Sequence, residues 1–340
     1  MKRIVCLLFC LCLLAGCSQV QQVQTQQYTA TFLELFDTVT TVIGRAQEEA
    51  SFREKAQAIR DELQRYHQLF DIYNDYEGVA NIKTINDNAG VLPVQVDPEI
   101  VALLQDCRSY YELTGGKVNV AMGSVLYLWH VARNDGLRDP ANAGLPDGQK
   151  LQEAASHTSW DAIVIDPENN TVFITDPQLR LDVGAVAKGW ATQRVAEQAP
   201  TGMLISVGGN VCATGPKLAD GTPWVIGVQD PDDAEKNVHT LYLKEGTVVT
   251  SGDYQRTFTV DGKAYHHIID PETLQPANTW RSVSVVCNDS GLADALSTGL
   301  FLMDLEQGKA LAEQCGAEVL WIDANGNEFT TAGFAGILRN

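Results

Sequence analysis

Ala162-Ile163-Val164-Ile165-Asp166-Pro167-Glu168-Asn169-Asn170-Thr171-Val172-Phe173-Ile174 reads as two short strands joined by a turn. Apolar, largely β-branched residues fill both arms, and Asp, Pro and Asn occupy the bend. The signal returns where Thr257-Phe258-Thr259-Val260 and Lys263-Ala264-Tyr265 flank Asp261-Gly262, a dipeptide that two-residue hairpins favour. Strands dominate from about residue 160 onward, interrupted by helices at roughly Ala187 to Gln198 and Leu292 to Met303. Upstream, Ala46, Ala50, Ala56, Ile59, Leu63, Tyr66 and Phe70 recur at mostly three- and four-residue steps, which predicts a long amphipathic helix. Asp97-Pro98-Glu99 opens a second helix and Gly115-Gly116 closes it. Hairpins with scattered helices, rather than a regular βαβ alternation, make the fold α+β, with mixed and antiparallel sheets against packed helices. Arg133 to Asp147, rich in Gly, Pro, Asn and Asp, is expected to be a surface loop.

The chain has 340 residues, 45% hydrophobic and 20% charged, a globular composition that excludes wholesale disorder. Lys and Arg number 24 against 43 Asp and Glu, a net charge of -19. Such a surface repels phosphate backbones, so nucleic-acid binding through a basic footprint is excluded. Small anionic ligands must then be met by backbone N–H groups, a few local cations or a metal ion.

Four of the eight cysteines fall within the first 17 residues. Lys2 and Arg3 precede an apolar run from Ile4 to Leu14 that is too short to span ~30 Å of hydrocarbon, which takes ~20 helical residues. The run ends in Leu14-Ala15-Gly16-Cys17, which resembles the lipobox of bacterial lipoproteins. That resemblance implies a signal peptide over 1–16, a diacylated Cys17 and a protein anchored to the lipid bilayer of the cell membrane on its extracytoplasmic side. Gln-rich residues as far as 30 are expected to form a flexible tether, leaving 31–340 as the folded domain. Cys107, Cys212, Cys287 and Cys315 include no C-x-x-C pair, so they suit buried small hydrophobes, with one disulfide allowed, better than zinc ligands.

Four segments carry candidate chemistry. In D-V-G-A-V-A-K-G-W-A (182–191) a carboxylate, a glycine turn and a helix start with Lys188 could receive an anion, although an ordinary strand-to-helix turn explains the pattern too. V-G-G-N (207–210) runs a strand into a double glycine, open to close ligand approach or simply a tight turn. T-S-G-D-Y-Q-R (250–256) leads through the hairpin to H-H-I-I-D-P-E-T (266–273), where adjacent strand histidines would face opposite sides. In A-D-A-L-S-T (293–298), Asp294 and Thr298 share one helix face, which suits a hard cation or, alternatively, a helix cap.

Together, and in this order, these segments resemble the FAD:protein FMN transferase (ApbE-type) family, with weaker support from Phe36-Asp37-Thr38, Asp71-Ile72-Tyr73 and G-K-V-N-V-A-M-G (116–123). The resemblance implies that family's fold and its activity, Mg²⁺-dependent transfer of FMN from FAD to a Thr or Ser hydroxyl of an acceptor protein with release of AMP. It implies that Phe36, Tyr73, Lys117, Val118 and Asn119 line the FAD site, that Asp182 and Lys188 contact FAD, and that Ile269 packs beside it. Asp294, Thr298 and the main-chain oxygen of Ala185 would hold Mg²⁺, and His267 would accept the proton. A membrane redox subunit is the acceptor the resemblance suggests. Two positions depart from the family pattern: Asn119 stands for Asp, and Leu274 for a glycine whose turn should then change conformation. FAD hydrolysis to FMN and AMP, FAD binding without catalysis, and generic solute binding are the competing readings.

Overall fold

The computed structural model describes residues 25–339. The signal peptide and Cys17 lie outside the described residues. An eight-stranded sheet organises the chain, in the order Gln26–Leu35, Thr38–Ala46, Leu204–Val207, Asn210–Ala213, Gly246–Gly252, Trp280–Cys287, Glu318–Asp323, Glu328–Thr330. Every neighbouring pair is antiparallel.

Both faces of this sheet are covered, because successive side chains on a strand point to opposite sides. Ile205, Val249, Val319 and Trp321 face the helical side, where Glu49–Phe70, Ala187–Gln198, Ser290–Phe301 and Leu305–Gln314 pack. Their neighbours Leu204, Val248, Leu320 and Ile322 face the hairpin Trp224–Gln229/Asn237–Leu243. Central strands therefore read as unbroken apolar runs rather than as alternation. The first hairpin foreseen from sequence forms as Ile163–Asp166 against Thr171–Ile174, and Val94–Gln95 joins it as a third strand. The second forms as Phe258–Val260 against Lys263–Tyr265.

Two expectations need correction. The stretch 26–30 read as tether opens a ten-residue strand. Its anchor is alternate burial: Tyr28 stacks on Phe52 at 5.7 Å and Ala30 is buried, while Gln27, Thr29 and Thr31 face outward. Residues 133–138 belong to the helix Gly123–Arg138 and not to a loop. Val125, Trp129 and Gly136 hold its buried face, and the turn composition takes over only at Asp139-Pro140. Leu274 itself takes the left-handed conformation, with φ 60, although it is not glycine.

Packing explains that last departure. Leu274 is 4% exposed within a cluster that includes Trp129, Phe258 and Ile269, and the Trp129 indole N–H donates to its carbonyl at 3.0 Å. Burying a leucine contributes ~1.5–3 kcal/mol, which offsets ~1–2 kcal/mol of left-handed strain. Leu274→Ala should therefore destabilise more than Leu274→Gly, by about 1 kcal/mol, since both lose the side chain and only glycine also relieves the strain. Denaturant titration of the two variants reads the difference, and the opposite order would contradict this account.

All four described cysteines are free thiols. Burial raises the Cys287 thiol to about 11, and Cys107 and Cys212 are likewise raised, chiefly by burial, as expected for packing residues rather than reactive ones.

Candidate active site

One cleft of about 600 Å³ opens beside the end of the central sheet. Three glycine-containing segments bring the chain to it. The turn 182–185 hands over to the helix Ala187–Gln198, the Gly208-Gly209 turn links two central strands, and the strand Gly246–Gly252 ends at Thr250-Ser251-Gly252. The helix Ser290–Phe301 crosses behind them.

The two helices meet at Gly189. A Cβ there would lie 2.2 Å from the Ser290 carbonyl oxygen and 2.4 Å from the Asp294 Cβ, so only glycine permits the approach. The Gly189 N–H donates to Asp294 Oδ2 at 2.8 Å, and Lys188 Nζ stands 3.5 Å from the same oxygen. Asp294 is 4% exposed yet borders the cleft, as do Thr298 one helical turn on and Ala185 at the facing turn. A carboxylate, a hydroxyl and a main-chain carbonyl form an oxygen-only set that can hold a small hard cation with water or phosphate oxygens completing its shell. The expected anion seat on the helix start is narrower than the sequence suggests. The Ala187 N–H already donates to Val183, as the Gly189 N–H does to Asp294.

The two histidines lie just beyond the strand Lys263–Tyr265 and not within it. His266 is fully engaged: its Nε2 meets the Ala277 carbonyl at 2.6 Å and its Nδ1 accepts from the Ile268 N–H at 3.2 Å. His267 differs. Its Nδ1 lies 3.2 Å from the Gln255 carbonyl oxygen, and since a carbonyl only accepts, Nδ1 carries the proton and Nε2 keeps a free lone pair. The side chain is exposed to the cleft. Desolvation and then the Arg256 charge push its pKa well below the ordinary imidazole range, so it is a neutral acceptor at physiological pH.

Also lining the cleft, Tyr73 stacks on His130 with ring centroids 5.0 Å apart. Asn134 Nδ2 donates to His130 Nε2 at 2.8 Å, which leaves Nδ1–H to donate to the Tyr73 hydroxyl at 3.3 Å. Burial, with Asp182 nearby, raises the Tyr73 hydroxyl to about 12, and burial raises the Asp182 carboxyl against the pull of the Gly184 N–H. Lys117 is held by Glu272 at 2.8 Å and Asp270 at 3.3 Å, so its charge is already matched. Asn119 donates to the Thr158 carbonyl and accepts from the Ala121 N–H, a two-way role that an ionised Asp could not fill.

Of the residues singled out from sequence, Tyr73, Lys117, Val118, Asn119, Asp182, Ala185, Lys188, His267, Ile269, Asp294 and Thr298 all border this one cleft. Phe36 does not. It packs edge-on against His67 at 5.6 Å and its N–H donates to His67 Nδ1, while its neighbours Asp37 and Thr38 reach the cleft. Sequence reasoning gave no role to His130 and Arg133, which also border the cleft. Their signal was present, since Val125, Trp129 and Arg133 recur at helical spacing, but the Gly- and Pro-rich residues that follow masked it.

Known proteins share the sequence and the fold of this chain. The FAD:protein FMN transferase of Treponema pallidum is 31% identical over 296 residues, covering 82% of this chain and 79% of that protein. An FAD:protein FMN transferase of Klebsiella pneumoniae is 32% identical over 260 residues, covering 74% and 78%. The crystal structure of the ApbE protein of Thermotoga maritima superposes with a TM-score of 0.82 at 32% identity, covering 93% of this chain and 100% of that one. A model of the ApbE family matches residues 33–321, and the chain belongs to that family.

Proposed function

We propose that the protein transfers the FMN half of FAD to a Thr or Ser hydroxyl of an acceptor protein and releases AMP, with Mg²⁺ required. The observation that carries the reading is the presence in one cleft of a buried oxygen donor set at Asp294 and a neutral imidazole with a free Nε2. Asp294, Thr298 and the Ala185 carbonyl would hold Mg²⁺, and their hard oxygen chemistry suits that ion. The ion supplies charge neutralisation on the pyrophosphate as its P–O bond breaks.

The rest falls to the protein's own groups. Lys188 adds a positive charge beside Asp294, and Tyr73 on its His130 support offers an aromatic face to a planar ring of the dinucleotide. His267 Nε2 takes the proton of the acceptor hydroxyl. That oxygen bonds to the FMN phosphorus, the bond from this phosphorus to the AMP oxygen breaks, and AMP leaves with the electron pair. The acceptor is a subunit of a membrane redox complex, and a diacylated Cys17 tethers the enzyme on the same, extracytoplasmic side. The L-A-G-C stretch at 14–17 is the support for that placement.

Incubation of the protein with FAD, Mg²⁺ and a fragment of a membrane redox subunit tests the reading. Mass spectrometry should find FMN attached to a Thr or Ser, with one AMP released per adduct. Free FMN and AMP without an adduct would instead assign FAD hydrolysis, and bound FAD with no AMP would leave only binding.

A further inference from the structure

Four cations border the cleft: Lys117, Arg133, Lys188 and Arg256. Lys117 is matched by Asp270 and Glu272, and Lys188 faces Asp294. Arg133 and Arg256 enter no ion pair among the described residues. In a chain with 43 acidic and 24 basic residues, a cation left unpaired in a cleft is unusual, because carboxylates are available nearly everywhere else.

Arg256 has two further peculiarities. Its backbone is left-handed, with φ 48, a conformation that costs an ordinary residue roughly 1–2 kcal/mol and that tends to be kept where a side chain must be aimed. It also follows Gln255, whose carbonyl fixes the His267 tautomer. The segment 255–256 therefore orients the imidazole with one residue and brings a guanidinium to the same cleft with the next, near enough for its charge to act on that imidazole. If His267 Nε2 takes a proton from the hydroxyl attacking a phosphorus, the group beside His267 is beside that same phosphorus.

We propose that Arg256 is a catalytic residue that contacts the phosphoryl group being transferred, the phosphate that stays with riboflavin in FMN, and not the phosphate that leaves with AMP. A planar guanidinium with several N–H donors matches two phosphate oxygens at once, which a lysine cannot do. The proposal rests on the transfer reading above. It divides the charge of the dinucleotide's pyrophosphate between two walls, the Asp294 side with Lys188 and the hairpin side with Arg256.

Ligands that differ by single phosphates test this without an acceptor. Riboflavin, FMN and AMP are titrated in the presence of Mg²⁺ into the protein and its Arg256→Met and Arg256→Lys variants, the flavins by fluorescence and AMP by calorimetry. Loss of one charge-assisted contact predicts that Arg256→Met weakens FMN about tenfold or more. Riboflavin and AMP should stay within about twofold, and Arg256→Lys should fall between the other two proteins for FMN. Parallel weakening of riboflavin and FMN would make Arg256 a wall of the flavin site and overturn the proposal. So would unchanged FMN affinity, or a loss confined to AMP. If the unaltered protein binds neither flavin, the transfer reading fails first and takes the proposal with it.

Discussion

Replacing Asp294 by asparagine is expected to leave a folded protein that no longer turns over FAD. The carboxylate is nearly buried, and its Oδ2 accepts the Gly189 N–H across the closest approach of two helices. Asparagine keeps an oxygen for that N–H but removes the negative charge a divalent cation needs. Stability should fall by only about 1 kcal/mol, the difference between a charge-assisted and a neutral hydrogen bond. Turnover should fall on the order of 10²–10³-fold, because a bound cation typically supplies several kcal/mol of transition-state charge stabilisation. Alanine is the less informative change, since it leaves a buried N–H unpaired at a cost of about 1–3 kcal/mol and mixes a folding defect with the catalytic one. Melting curves and Mg²⁺ titrations of AMP release separate the two effects. A variant that retains the full Mg²⁺-dependent rate would remove Asp294 from the chemistry.

His267→Ala carries the second large effect. Loss of a positioned proton acceptor slows such reactions by about 10²–10⁴-fold, and FAD affinity should change little, because the ring's role is to accept a proton. The pH profile supplies a check that needs no substitution. Desolvation and the Arg256 charge lower the pKa of His267, so its base form persists as pH drops and is lost only on passing through that lowered value. An ordinary histidine would halve the rate near pH 6.5. The rate of the unaltered protein should instead stay level from pH 7 to pH 5 wherever proton abstraction limits turnover. A half-fall near 6.5 would mean that the imidazole is not held neutral.

Much of this was legible in the sequence. Short β-branched runs and the turn residues between them located Ile163–Asp166, Thr171–Ile174 and Phe258–Tyr265, because local chemistry fixes such elements. The N-terminal strand pair was not legible. Gln26, Gln27 and Thr29 look like a solvated tether until Phe52, 24 positions beyond Tyr28, receives that ring. Helix spacing in Asp294 and Thr298 indicated a shared face, yet the Gly189 N–H that holds Asp294 comes from 105 positions upstream, and no local pattern announces such a contact. Leu274 shows another limit. Its letter alone gives no sign of a left-handed backbone, which burial of the side chain against Trp129 and Phe258 sustains.

The imidazole at 267 is aligned by a main-chain oxygen, not by a partner side chain. Every amino acid supplies that same oxygen. The alignment is therefore encoded in the path of the chain between the Gly246–Gly252 strand and the hairpin after it, and the letter at position 255 is free to drift. A search for second-tier determinants by side-chain scanning would pass over this one, while a single inserted or deleted residue in the connection would erase it.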